Sequence, residues 1–598
     1  MICTVIATRP KHRQSETAME RKGIQLNTSK LFPILAVLAV FTSLLTGSPQ
    51  VHSSEAATNV AGGESPAWTF SLDTSNVGLA YLHAYDPERY GQEHYHIAGG
   101  LAIGDLNNDG WDDIFAVTGH STNEFDENLN PNKLFISDGD GTFTESATNW
   151  GLSPADLHSA GPLIVDLNGD GFNDLLVGGV NILDSSTRKV RVYLNTGSSG
   201  FTDATQSSVL VPHIGSTLNM GMSAADIDDD EDLDLYVTHW SVSNPNMLFR
   251  NNGSAAFSEI TNILTGQRPG KTFTPVFADI NADGLTDLMI SSDFLNRRDS
   301  GGGSRYFLNS GAGTFVQQGF PVPLPDEEPF DPYDGPDENG MGSAVADYDN
   351  DGDLDWFVSS IYDSDQVAEA NWGVTGNRLY RNNGSGVFSD VTEATGVRNG
   401  HWGWGACFAD FNNDMHLDLF HVNGFRPRQD EMEFANDPAV MFISDGQGGF
   451  TEQAAELGVD DTPYGRAILC FDNDRDGDMD ILVNNNNSQS RFFRNNLDNG
   501  NHYILIKLRQ GLPNHEAIGA IVRVTVGGVT QMRVVFAGAN YASSHPTTQH
   551  FGLGPHTTID QIEVTWPDGG VDTWSNVAVD QRLVLTRRTD MIYRDNFE

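Results

Sequence analysis

The chain has 598 residues, of which 81 are acidic and 34 basic, for a formal net charge of −47. That balance argues against a nucleic-acid partner, which wants clustered lysine and arginine, and it favours a soluble surface that repels anionic membranes. Three cysteines in a chain of this length exclude a fold built on a disulfide framework.

Residues 31–47, LFPILAVLAVFTSLLTG, form an apolar run of signal-peptide length behind Arg21, Lys22 and Lys30, and Ser54-Glu55-Ala56 offers a small-x-small cleavage site. The expectation is an N-terminal extension and signal peptide over 1–56, with Met19 as a second candidate start. The mature chain is then secreted, periplasmic or at the cell surface, with an uncleaved N-terminal anchor as the alternative. No later apolar run is long enough to span a bilayer.

An aspartate-rich nonamer then recurs seven times: DLNNDGWDD, DLNGDGFND, DIDDDEDLD, DINADGLTD, DYDNDGDLD, DFNNDMHLD and DNDRDGDMD. Oxygen-bearing side chains stand at positions 1, 3, 5 and 9 of every copy. In the first four copies these are Asp105, Asn107, Asp109 and Asp113; Asp166, Asn168, Asp170 and Asp174; Asp226, Asp228, Asp230 and Asp234; and Asp279, Asn281, Asp283 and Asp287. In the last three they are Asp347, Asp349, Asp351 and Asp355; Asp410, Asn412, Asp414 and Asp418; and Asp472, Asp474, Asp476 and Asp480. Ca²⁺ takes six to eight oxygens, and a tight loop with Asp or Asn at alternate positions supplies them, position 7 adding its carbonyl. The pattern predicts up to seven structural Ca²⁺ ions, each pinning a turn. The copies with Gly at position 6 rank as stronger sites; the Asp226 copy has Glu231 there but an added carboxylate at Asp228, and the Asp410 copy, with Met415 and His416 at positions 6 and 7, ranks weakest.

Successive copies start 61, 60, 53, 68, 63 and 62 residues apart, a period that suits a four-stranded unit. Each nonamer lies between two apolar runs, and about 28 residues after its start comes a strand, Gly/Asn turn, strand signature such as RVYLNTGSSGF or RLYRNNGSGVF. Seven four-stranded sheets in radial order make an all-β, seven-bladed β-propeller over 68–497. The last period stops after RFFRNN, and WTFSLDT (68–74) is predicted to supply the missing strand and close the ring.

The apolar-D-x-[DN]-x-D-G-x-x-D-apolar units resemble FG-GAP/VCBS repeats, the propeller blades also found in integrin alpha subunits. After Asp498, NHYILIKLRQG, AIGAIVRVTVGG, NYASSHPTTQHFGLG and IDQIEVTWPDGG resemble the ASPIC/UnbV domain. Together they resemble the cartilage-acidic-protein-like family, which implies a small β-sandwich over 498–590 before a tail at 591–598. Ser543, Ser544, His545, His550 and Asp568 invite the drawing of a triad, but WPDG is a natural hairpin turn, and a sandwich with polar loops accounts for all five.

Cys407 and Cys470 stand at non-equivalent offsets before Asp410 and Asp472. The offsets place them on different strand faces, so both read as buried thiols, a bridge between them is disfavoured, and stability is expected to rest on calcium and ring closure.

If each inner strand runs into its nonamer, the nonamers share one face of the ring and the remaining loops share the other. His96, His120, His158, His239, Trp240, His401 and Trp402 fall in or beside those other loops and form a candidate ligand face. The acidic insertion LPDEEPFDPYDGPDEN (324–339) belongs to the same side. The preferred reading is an exported, calcium-stabilised, non-catalytic protein that binds an extracellular glycan, matrix component or protein. The alternative is a secreted enzyme acting on carbohydrate or a small metabolite through the His/Trp face, although no HExxH or Ser/His/Asp set stands out.

Overall fold

The computed structural model describes residues 68–84, 97–119, 131–152, 157–181, 190–197, 200–208, 210, 218–241, 245–266, 270–293, 303–311, 313–318, 339–362, 376–425 and 434–588. The apolar run at 31–47, the acidic insertion up to residue 338 and the tail at 591–598 lie outside them.

Each nonamer joins two antiparallel strands in one register: the residue before it pairs with its ninth, as in Gly104↔Asp113, Ala278↔Asp287, Ala409↔Asp418 and Phe471↔Asp480. A third and a fourth strand follow, giving sheets such as Leu157–Val165, Asp174–Asn181, Arg191–Asn195 and Phe201–Asp203. Burial falls from the centre outward. Asp418–Asn423 is buried throughout, whereas the last strand of the same repeat, Phe450–Glu452, is mostly exposed. The third and fourth repeats are further joined by Trp240↔Lys271 and Ser241↔Gly270. In the seventh repeat the fourth strand is Thr69–Leu72, paired antiparallel with Arg491–Asn496, so chain segments more than 400 residues apart complete one sheet.

The apolar clusters lie between neighbouring sheets. Leu101 and Ile103 of the first repeat pack with Ala467 and Leu469 of the seventh, while Ala102 and Phe115 pack with Ile164 and Leu175 of the second. Alternate residues of one strand therefore serve opposite interfaces, and the inner strands follow one another in a closed cycle. The expected all-β fold is observed.

The same face-to-face packing corrects the reading of the cysteines. Cys407 and Cys470 form a disulfide with Cα atoms 6.6 Å apart. Neighbouring sheets present opposite faces to each other, so residues of opposite parity are the ones that meet: Cys407 and Ala409 share a cluster with Ile468 and Cys470. The unequal offsets favour the bridge.

A second tie between sheets went unrecognised in the sequence. Asn195, Asn251, Asn309, Asn382 and Asn495, at or next to the end of a third strand, each donate through Nδ2 to a carbonyl of the preceding repeat's nonamer, namely Leu106, Leu167, Ile227, Ile280 and Phe411, at 2.7–3.1 Å. Each also donates to its own repeat's nonamer, as Asn251 does to the Leu233 carbonyl. The Asn251→Ala variant leaves two buried carbonyls unpaired and is expected to lose ~2–3 kcal/mol in chemical denaturation.

The C-terminal module has two sheets. Gln549–Gly554, His502–Arg509 and Gln581–Thr586 make one; Val529–Val534, Ile521–Val526, Thr558–Thr565 and Val571–Ala578 make the other. They enclose Ile504, Ile506, Val522, Val524, Ile562 and Val564, and this core continues into Leu163 and Met222 of the ring. Between Val534 and Gln549 the chain leaves the module and enters the ring. Ala537 bridges to Ala224, Ser543 pairs with Leu101, the Asn540 side chain bonds Ala406 N–H and Ile468 C=O, and Tyr541 Oη donates to Ile97 C=O at 2.7 Å. One segment touches the inner strands of the first, third, sixth and seventh repeats, which places it in the central channel as a plug. Gly100 marks how closely it fits, since a Cβ there would stand 2.8 Å from Ala542 C=O.

Candidate metal centres

All seven nonamers adopt one loop conformation. Residues at positions 4 and 6 are left-handed in every copy, including Glu231 (φ 71°) and Met415 (φ 80°), where other copies have Gly. Non-glycine residues resist that region, and hydrogen bonding holds them there: Glu231 N–H and Met415 N–H both donate to the position-1 carboxylate at 2.8 Å, as the Gly residues do elsewhere. The Asp410 copy therefore keeps the shape of the others.

Each carboxylate has a defined task. Position 1 accepts from the N–H of position 6, as Asp105 Oδ2 does from Gly110 at 3.0 Å. Position 5 accepts from the N–H of position 7, as Asp283 does from Leu285 at 2.9 Å. Position 9 is the deepest and acts as a strut to the third strand: Asp113, Asp174, Asp234, Asp287, Asp355, Asp418 and Asp480 accept from the N–H of Ser137, Asn195, Asn251, Asn309, Asn382, Ser444 and Asn495 at 2.7–2.9 Å. Burial pushes the carboxyls of Asp113, Asp174 and Asp234 up to about 8 and that of Asp355 to about 9. A nearby cation lowers that cost of ionisation.

Position 3 divides the loops. Where it is Asn, the amide closes on position 5, as Asn107 Nδ2 does on Asp109 and Asn168 Nδ2 on Asp170 at 2.8 and 2.9 Å. Where it is Asp, carboxylate oxygens gather. Among the described residues, Asp226/Asp228/Asp230, Asp347/Asp349/Asp355 and Asp472/Asp474/Asp476 are the groups with ligand atoms within 4.8 Å of one another. Asp234 Oδ2, Asp349 Oδ1 and Asp474 Oδ1, one in each of these three loops, are buried without a hydrogen-bond partner. An all-oxygen set with an orphaned buried oxygen fits a hard divalent cation.

The module sits on the face that carries these loops. His515 Nδ1 lies 3.1 Å from Asp166 Oδ2, Arg509 Nη2 lies 3.8 Å from Asp105 Oδ2, His550 Nε2 meets Gly477 C=O at 3.1 Å, and Gly554 N–H donates to Asn413 C=O. Glu516 ties the contact together, accepting from Lys507 at 2.7 Å and Arg509 at 2.9 Å. Burial works against its ionisation, but Lys507, His515 and Arg509 outweigh burial and hold its carboxyl well below the usual range.

The FG-GAP-like repeat model matches residues 105–177, 166–237, 226–290 and 363–421, and the ASPIC and UnbV model matches 511–590. The chain carries FG-GAP-like repeats and an ASPIC and UnbV domain. Cartilage acidic protein 1 of Mus musculus is 25% identical over 289 residues, 47% of this chain and 40% of that protein, and its Homo sapiens counterpart is 25% identical over 273 residues, 44% and 37%. The chain thus spans about two fifths of the length of these relatives. Among solved structures, rhamnogalacturonan lyase YesW superimposes with a TM-score of 0.33 at 13% identity, covering 67% of this chain and 76% of that one.

The opposite face differs from its expected form. His96 and His120 lie outside the described residues; His158 lies on the strand Leu157–Val165, its side chain outside them. His239 is fully buried, and Trp240 and Trp402 are 9% and 6% exposed. Trp402 stacks on Phe425 with ring centroids 4.2 Å apart, Lys271 covers the Trp240 ring at 4.3 Å, and both tryptophans share an apolar cluster with Tyr541 at the tip of the plug. Both rings are buried and are not displayed for stacking. Among the described members of this set His401 is the one that is half-buried, 3.8 Å from Asp437. Among the described residues no helix is long and apolar enough to cross a membrane.

Proposed function

We propose that this protein is an exported, non-catalytic, calcium-binding interaction protein whose FG-GAP-like ring is stabilised by Ca²⁺ in its loops. The ASPIC and UnbV domain caps the loop face, and an extracellular glycan, matrix component or protein is bound through the face left free. The observation that carries this reading is the common loop conformation, with its oxygen ligands and, in three copies, an orphaned buried carboxylate oxygen. The apolar run at 31–47 supports export. The burial of His239, Trp240 and Trp402 counts against a carbohydrate-processing rim.

Isothermal titration of the chelator-stripped full chain with CaCl₂ tests the calcium reading. Saturable binding at several sites per chain is expected, and no heat at millimolar Ca²⁺ overturns it. A glycan array and a matrix-protein overlay, each run with and without the His401→Ala change, test the free face.

A further inference from the structure

The seven loops fall into two kinds, and the difference reaches beyond the nonamer. In the loops at Asp226, Asp347 and Asp472, positions 3 and 7 are both Asp, and the third strand carries Arg250, Arg381 or Arg494 beside its terminal Asn. In the other four, position 3 is Asn, position 7 is Trp111, Phe172, Leu285 or His416, and the third strand carries Ile136, Leu194, Leu308 or Ile443 instead. The cross-strand partner changes in step: the arginines face Ser258, Ser389 and Ser71, whereas the aliphatic residues face Thr or Val. Four positions switch together.

The arginines reach back into their loops. Arg250 Nη2 lies 2.6 Å from Asp228 Oδ2, Arg381 Nε and Nη2 lie 2.8 Å from Asp349 Oδ2 and Asp351 Oδ2, and Arg494 Nη1 pairs with Asp474 Oδ2. In every case the guanidinium takes the position-3 carboxylate, the oxygen source that distinguishes these loops. At the odd positions an Asp-rich loop has five carboxylates against three in an Asn loop; one guanidinium brings five down to a net −4, against −3. Round the ring the Asp-rich loops belong to the third, fifth and seventh repeats, so each has an Asn loop on either side.

We propose that Arg250, Arg381 and Arg494 are built-in counter-cations that set the divalent-cation affinity of three of the seven loops. Each guanidinium partly neutralises its loop when the cation is absent and gives up the position-3 carboxylate when the cation enters. The inference rests on the calcium reading above and divides the ring into two kinds of site, with each Asp-rich site flanked by Asn sites. The Asp-rich sites have more ligand charge but bind against a competing tethered cation. The Asn sites have no such competitor and fewer carboxylates.

The test uses Arg250→Leu/Arg381→Leu/Arg494→Leu in the full chain. The four other repeats carry Leu or Ile at this position within the same strand pairing, so the fold accepts an aliphatic residue there. Titration with CaCl₂ is expected to show a class of about three sites whose affinity rises about fivefold, the factor to which the upper range of a partly exposed ion pair converts, with the remaining sites unchanged. The reciprocal Leu308→Arg places a guanidinium beside an Asn loop and is expected to weaken one site of the other class. If wild type binds Ca²⁺ and both variants match it, the counter-cation role is overturned and the calcium reading stands. If wild type binds none, the calcium reading itself fails. Should the triple variant not fold, Arg250→Leu alone, read against Leu308→Arg, gives the same decision at one site each.

Discussion

Stripping divalent cations with EDTA is expected to lower the melting temperature by ~10 °C or more, because each site held at a hundredfold its dissociation constant adds ~2.7 kcal/mol and the loops act together. The pH dependence gives a second signature. In the metal-free protein, burial raises the carboxyls of Asp113, Asp174 and Asp234 to about 8, above the ordinary carboxylate range of the unfolded chain. A raised carboxyl holds its proton more tightly when folded. Its contribution to stability is complete below the unfolded pKa of ~4 and is lost as pH rises through the folded value near 8. Chelated protein is therefore expected to melt higher at pH 5 than at pH 8, and the increment restored by CaCl₂ to be larger at pH 8. Differential scanning calorimetry at both pH values, with and without chelator, checks this; an EDTA shift within a degree at pH 8 contradicts it.

The Tyr541→Ala variant is expected to cost ~3–5 kcal/mol, the range for emptying a large buried aromatic site. Tyr541 is fully buried, its hydroxyl is bound to Ile97, and its ring meets Phe273 and Trp404 at 5.5 and 5.4 Å. The loss is expected to spread. The plug joins strands of several repeats, and the module's core runs into the ring, so wild type should melt in one transition while the variant melts lower and separates a module transition from that of the ring. Urea denaturation followed by tryptophan fluorescence gives the size of the loss, and calorimetry its distribution. A midpoint equal to that of wild type removes the plug's stabilising role.

Much of the ring was legible because its signals are local and repeated. The nonamer spacing, the strand pairs around it and the role of WTFSLDT needed only pattern and strand length. What escaped depends on partners distant in sequence. The Cys407–Cys470 bridge escapes a reading of strand parity within one sheet, because the contact is between facing sheets. NYASSH carries no periodicity that distinguishes a surface loop from a plug, and only the inner strands around it make Asn540 and Tyr541 necessary. The burial of Trp240 and Trp402 depends in part on Tyr541, which shares their cluster and follows them by more than a hundred residues. The covariation of Asp228, Asp349 and Asp474 with the third-strand arginines was present in the sequence, and needed the strand register to show that they touch.

The closing strand also imposes an order on synthesis. Thr69–Leu72 emerges first but has no pairing partner until Arg491–Asn496 is made, and the channel is filled only when residues 537–545 follow. The first sheet edge must stay unpaired while six further repeats are completed, the kind of long-range closure that slows folding and exposes intermediates. A chain interrupted before residue 491 leaves both ends of its blade array open to other chains, so truncated products of this protein should be found in aggregates and not as shorter, stable rings.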